Sequence, residues 1–426
     1  MTEALLHYVW KHQFYTRTEL KQPNGKVIEV IKTGLPNFDA GPDFFNGQIK
    51  LDNTLWAGNV EIHTRASDWK KHHHHKDKAY DNVIIHLVKE KDCEVQNTKG
   101  ENILTVELKY PEHFDLNYLE LLKSNKWISC ENTINEVNNL DFKLFLNRLV
   151  SEKLETKTKL IEELYKANKN NWEETFYQLI ARSFGFKTNG LPFELLAKSI
   201  KLKYLGKHKS SLKQMEAFLF GQAGFLEEDI EDNYYILLKK EYRFLQNKFK
   251  LKPIEKHYWK FLRLRPNGFP TIRITQFAML IHTSSSLFSK ILECENINQL
   301  ENLFSVQASD YWSTHFKFGH ETNYQVKKLG ISSIHNILIN TVIPLIFYYG
   351  VKNNNQKFRN LALDLLDQLP AEKNAVIKQW NSLNIKAENA VYSQALIYLK
   401  NSYCDTKNCL NCVVGKTIVK KHANTN

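Results

Sequence analysis

The chain has 426 residues, 42% hydrophobic and 12% aromatic, enough for two or three domains with real cores. Lysine and arginine outnumber aspartate and glutamate by 58 to 46, a formal net charge of +12 that favours a polyanionic partner, with nucleic acid the commonest. Met1 to Tyr15 is too polar for a signal peptide, the apolar run TVIPLIFYYGV is too short to span a bilayer, and six cysteines in so long a chain are no disulfide scaffold, so a cytoplasmic protein without a membrane partner is expected.

The segment up to about Tyr110 reads as mixed α/β. TEALLHYVWKHQFY places Leu6, Val9, Trp10 and Phe14 near the helical period, with Thr2 as a candidate N-cap. VIEVIKTG, NGQIKLDN and LWAGNVEIH follow as strands, with a turn at Asp52-Asn53 and a bulge expected at Gly58. ASDWKKHHHHKDKAY predicts a helix capped by Ser67 or Asp68. NVIIHLVKE predicts a buried strand and NILTVELKY one more. The order is helix, three strands, helix, strand.

Beyond Pro111 the texture changes. LDFKLFLNRLVSEKLETKTKLIEELYKAN has no glycine or proline, and NWEETFYQLIARSFGF, LPFELLAKSIKLKYLG, SLKQMEAFLFGQAGFL, DNYYILLKKEYRFLQNKF and IHNILINTVIPLIFYYG all carry amphipathic spacing. The fold class is therefore α+β. An α/β domain over residues 1–128 precedes an all-helical domain over 129–426, and NNLD near Asn138 is the strongest break.

Between Gly41 and His75 lies the densest chemistry. Asp43 follows Gly41-Pro42 at the mouth of a strand, and Glu61 comes 18 positions later in NVEIH. Because strand side chains alternate, Glu61 and His63 share a face. If the two strands pair, Asp43 joins them: two carboxylates for a hard cation beside one nitrogen base. Asp39 is a spare carboxylate on the same loop. Four histidines follow. In an extended loop His72 and His74 share one side and can form the rim of the site, whereas His73 and His75 read as solvated and His86 as a hydrogen-bonded core residue.

GPD followed by Glu-x-His, in this element order, is similar to the PD-(D/E)xK nuclease signature. The resemblance covers about 110 residues. It implies a restriction-endonuclease-like αβββαβ core, Asp43 and Glu61 as ligands of Mg²⁺ or Mn²⁺, and His63 where the family has lysine. NWEETFYQLIARSFGF, RPNGFPTIR and GPD…GNVEIH also resemble a bacterial family of unknown function along the full length, which implies an architecture and no activity.

Cys404, Cys409 and Cys412 stand in C-x4-C-x2-C spacing, and three thiolates so close can wrap one metal centre. Cys130 is the best fourth ligand, ahead of His422, while Cys93 and Cys294 lie in isolated contexts. The arrangement resembles nucleases of the same superfamily that carry an iron–sulfur cluster. Zinc would satisfy the same ligands.

In FLRLRPNGFPTIRITQFAML, Arg263, Arg265 and Arg273 gather around a turn and a helix start near Thr271, a pattern suited to phosphate as well as to helix–helix ties. DYWSTHFKFGHE and the helix carrying His335 and Asn336 read as packing, with His315 among the aromatics. The expected function is a metal-dependent nuclease, DNA before RNA, or its altered descendant. The alternative is a non-catalytic nucleic-acid-binding scaffold on the same fold. A zinc hydrolase ranks lower for want of HExxH, and without a Walker or Rossmann motif ATP or dinucleotide use is not expected.

Overall fold

The computed structural model describes residues 2–284 and 286–421. It is a mixed α+β structure: an N-terminal sheet, then a large helical region. The described residues form two compact units, one of residues 2–145 with 399–421, the other of residues 146–398. The cysteine motif, expected within a helical domain from residue 129, therefore belongs to the sheet unit. His422 lies outside the described residues.

The sheet unit opens with helix α1 (Glu3–Lys11), which buries Leu5, Leu6, Val9 and Trp10. Each such burial stabilises by about 1.5–3 kcal/mol. Thr2 precedes it without a side-chain cap. Six strands follow: β1 (Glu29–Lys32), β2 (Leu35–Pro36), β3 (Phe44–Leu51), β4 (Thr54–Arg65), β5 (Val83–Glu90) and β6 (Thr105–Glu107). Their order is β1-β3-β4-β5-β6, with β2 also on β3. The β1–β3 and β3–β4 pairs are antiparallel, and the β4–β5 and β5–β6 pairs parallel.

Alternation along the central strands sorts the faces. Val60, Ile62, Ile85 and Leu87 share a core with Leu6, Val9 and Trp10 of α1, with Phe114 and Tyr118 of helix α3 (His113–Lys123), and with Cys409, Leu410 and Val419. Glu61, His63, His86 and Val88 alternate with them and face the other way, where Trp69 and Tyr80 pack on Val88. The bulge expected at Gly58 sits on the partner strand, between Phe44 and Gly47, where Asn46 has a φ of 57°. Gly58 answers a different demand: a Cβ there would stand 2.4 Å from Ile84 Cγ2.

The helix expected after β4 is a single turn, α2 (Asp68–Lys71), followed by two 3-10 turns. His73 ends it by entering the left-handed region at φ 63°, at a cost of roughly 1 kcal/mol. Ser67 does not cap it; its amide and hydroxyl both donate to Asp92.

In the helical unit, the segments read as helices from their spacing are helices, among them Trp172–Phe184, Leu212–Gln222, Asn233–Phe249 and Pro270–Thr283. The unit is not purely helical. His315–Lys317 and His320–Glu321 form a small antiparallel hairpin, and His315 stacks on Tyr311 at 4.0 Å. His335 Nε2 meets Glu301 Oε1 at 2.6 Å. The run TVIPLIFYYGV, too short on its own, lies in a continuous 22-residue helix, Ile331–Lys352, long and apolar enough to cross a membrane by length and composition. Its most apolar window is 61% buried within the unit, as in a core helix.

Candidate metal centre

The register of β3 on β4 opposes Phe44 to Val60, so Asp43 and Glu61 meet at the next position. The Asp43 N–H donates to Glu61 Oε2 at 3.1 Å, and Asp43 Oδ2 accepts the Ile62 N–H at 2.9 Å. The loop before Asp43 is organised by Asn37, whose amide donates to the carbonyls of Asp39, Ala40 and Pro42. Asp39 is exposed on this loop, with its backbone engaged by Asn37.

Glu61, His86 and Thr105 form one row across β4, β5 and β6. Thr105 donates its hydroxyl to the Ile103 carbonyl, 3.2 Å away, and so accepts from His86 Nδ1, 3.3 Å away. His86 Nε2 then accepts from His63 Nδ1 at 2.9 Å. This chain of partners assigns the His63 tautomer: Nδ1 carries the proton, and the Nε2 lone pair points out of the relay.

Beyond that lone pair stand three more donors. His72 Nδ1 is 3.1 Å from His63 Nε2, Glu61 Oε1 is 3.6 Å from it, and His74 Nε2 is 3.3 Å from Glu61 Oε1. The three imidazole donors all lie within 4.8 Å of one another. A tetrahedral ion with ligands at about 2.0–2.1 Å needs donors roughly 3.3 Å apart. The separations of 3.1, 3.3 and 3.6 Å bracket that value. His73, at a φ of 63°, separates His72 and His74, whose rings both approach His63, at centroid distances of 5.0 and 5.2 Å. His74 stacks on Tyr80 at 3.8 Å and lies edge-on to Trp69.

Burial, and then the neighbouring His74 and His72, push His63 down to about 4. His86 is driven well below the usual histidine range by burial and by His63 and His74. Burial raises Glu61, against the pull of His74. A neutral His63 suits metal ligation, and it is a weak base for water. A further titratable residue stands beside Asp43, one that the sequence did not single out. His7, on α1, places Nε2 at 3.2 Å from Asp43 Oδ2. Burial pulls its pKa down, but Asp43, with Glu3 and Glu61, outweighs this and holds it above the ordinary value.

These shifts predict acid sensitivity of the metal-free protein. Below pH about 6.5 the unfolded chain takes up protons that folded His63 refuses until about pH 4. Stability in EDTA should therefore fall as pH drops through this window, by on the order of 3 kcal/mol from His63 alone. Urea midpoints at pH 7, 5.5 and 4.5 check it; a flat series would refute the buried neutral relay.

A second cluster lies in the same unit. Cys130, Cys404, Cys409 and Cys412 line one small cavity of about 20 Å³ with Leu121, Ser129, Tyr403 and Gly415. All are free thiols. Burial, then their mutual proximity, pushes Cys130 up to about 12 and Cys409 to about 11, and raises Cys404 as well. Gly415 permits this packing, because a Cβ there would stand 2.2 Å from the Cys409 carbonyl oxygen. Asn117 holds the last turn of the helix Val413–Lys420 through the Ile418 and Lys421 carbonyls, at 3.0 and 2.8 Å. Cys93 borders the Trp69 core, and Cys294 donates to the Lys290 carbonyl.

A family model described as "Protein of unknown function (DUF2851)" matches residues 3–375. The chain belongs to this DUF2851 family. The match takes in Asp43, Glu61 and the histidine centre, and Cys404, Cys409 and Cys412 lie past its end. No curated protein and no solved structure matches the chain.

The three arginines separate. Arg263 and Arg265 are exposed. Arg273 turns inward: its guanidinium lies 4.6 Å from the Phe186 ring centroid and donates to Gln276 and Ser333, at 3.1 and 3.2 Å. Burial lowers it to about 10. In this DUF2851 member Arg273 is a helix tie, the other role its pattern suited, and Arg263 and Arg265 stay at the surface.

Proposed function

We propose that the chain is a metal-dependent phosphodiester hydrolase, a nuclease or its close descendant, acting on DNA before RNA. One observation carries the metal: His63, His72 and His74 bring ring nitrogens within 4.8 Å of one another, with Glu61 Oε1 beside them at 3.6 Å from His63 Nε2 and 3.3 Å from His74 Nε2. The sheet order, the apposition of Asp43 and Glu61, and the net positive charge support the phosphodiester class. The first two are features the PD-(D/E)xK resemblance anticipates. Three imidazoles and one carboxylate suit Zn²⁺, Mn²⁺ or Fe²⁺ better than Mg²⁺, which prefers oxygen.

When bound, such an ion supplies an activated water and a Lewis acid at neutral pH. The chain's own residues do the rest. Thr105 and His86 orient His63. The Asp43 amide fixes one oxygen of Glu61 and leaves the other toward the histidines. His7, whose pKa Asp43 raises against burial and which is partly exposed, can in its protonated form stabilise a phosphate oxygen and return a proton to the leaving oxygen. The four cysteines are proposed as a separate structural centre, iron–sulfur or zinc.

The test is cleavage of single- and double-stranded DNA and RNA with Mg²⁺, Mn²⁺, Zn²⁺ or EDTA, beside Asp43→Asn. Asparagine still accepts the Ile62 N–H but no longer raises the His7 pKa. Cutting should fall at least ~100-fold with the melting temperature unchanged. Unimpaired cutting by the variant would end this assignment. One feature favours the silent scaffold: Asp43 spends Oδ2 on a backbone amide and His7 instead of facing the histidines. That reading predicts salt-sensitive binding with no cleavage in any metal.

A further inference from the structure

The helical unit contains a cavity of about 920 Å³, at the upper end of the size range of small-molecule sites. Its apolar lining includes Phe176, Tyr177, Ile180, Phe277 and Leu280, from helices Trp172–Phe184 and Pro270–Thr283. Five lysines also line it: Lys169, Lys198, Lys201, Lys203 and Lys209. Lys198 is engaged by Glu194 at 2.6 Å, and no acidic partner takes the other four among the described ion pairs.

The cavity's two carboxylates are already committed. Glu174 Oε2 accepts the Leu202 N–H at 3.1 Å, and Glu173 accepts backbone N–H groups of Phe288 and Ser289. Lys169, Lys201, Lys203 and Lys209 thus line the cavity without an ion-pair partner among the described residues, with Glu174 acting on Lys201 and Lys203 only at longer range. A single carboxylate ligand would need one or two cations; a set of four suits the several oxygens of a phosphate.

The Tyr177 hydroxyl is the second, independent sign. The residue is 4% exposed, and its hydroxyl has no hydrogen-bond partner among the described residues. A buried hydroxyl left unpaired is costly and calls for a partner. An acyl chain offers none, whereas the edge of a nucleobase offers ring nitrogens and carbonyls.

We infer that this cavity binds a nucleoside phosphate, with the base against the aromatic and aliphatic wall within reach of Tyr177 and the phosphate on Lys169, Lys201, Lys203 and Lys209. The chain has no glycine-rich phosphate loop, so the side chains supply the charge. The ligand is either a free nucleotide or the terminal nucleotide of a single strand.

Calorimetric titration of the full-length protein tests the site. Performing it in EDTA on the His72→Ala background keeps it independent of the histidine centre, so either claim can fail alone. The probes are AMP, 5′-phosphorylated hexathymidylate, pyrophosphate and laurate. AMP or the hexamer should saturate one site per chain. Lys201→Glu with Lys203→Glu, at exposed positions, should weaken binding at least tenfold, and Tyr177→Phe severalfold. A hexamer binding tenfold tighter than AMP names single-stranded nucleic acid as the source; equal or weaker binding names the free nucleotide. The inference is overturned if neither binds at millimolar concentration, if pyrophosphate binds as tightly as AMP, if laurate binds in their place, or if the lysine variant binds normally.

Discussion

His72→Ala is expected to strip the metal from the histidine centre, whereas His73→Ala, one residue further on, leaves it in place. The two side chains are both exposed, so neither truncation opens a core cavity. They differ in direction. His72 Nδ1 is 3.1 Å from His63 Nε2, and His73, at a φ of 63°, turns its ring toward His75. Removing one of the three clustered imidazoles should lower metal affinity about 10³-fold, or about 4 kcal/mol, and metal-dependent cleavage with it. The measurement is the metal-to-protein ratio after dialysis, with circular dichroism to show that both variants are folded. Equal metal in the two would mean that the imidazoles form only a hydrogen-bonded cluster.

The second large effect is expected at the cysteines. Cys404→Ser with Cys412→Ser should lose bound iron and sulfide, or zinc, and lower the melting temperature by ~10 °C or more. The size follows from what the centre joins. Cys130 lies far from the other three in sequence, and cross-links that close loops of a hundred residues or more stabilise by about 5 kcal/mol in chain-entropy models. In a unit of this size that is ~10–20 °C. The segment from Leu399 should also become a protease target, although Cys409, Leu410 and Val419 still have core positions to occupy. Cys93→Ser, at a half-buried thiol outside the cluster, is the control. A double variant as stable and as protected as the parent would show four thiols packed together and nothing more.

The two centres show how far a sequence reaches. Alternation in NVEIH was enough to put Glu61 and His63 on one face, because strand periodicity is local, whereas His86 joins them, with Val60, Ile62, Ile85 and Leu87 on the other face, through the pairing of β4 with β5. Helices such as Asn139–Ala167 were equally legible, since an amphipathic stripe repeats within one segment. The helix expected over the histidine run was not. A single left-handed residue at His73 outweighed the local propensity, and that choice serves contacts with β4.

What the sequence determined by itself was therefore the inventory and its facing: an α+β chain, a Glu-x-His strand, a histidine run and a C-x4-C-x2-C motif, each readable within a few residues. The sequence had also singled out Cys130 as the fourth thiol, which lies beside Cys404, Cys409 and Cys412; only the tertiary structure decided that His7 meets Asp43, that Thr105 and His86 set the tautomer of His63, and that Arg273 turns inward. Those outcomes depend on which strand lies beside which and on where loops return. Both are governed by burial and hydrogen-bond satisfaction summed over residues distant in the chain, and no local pattern records that sum.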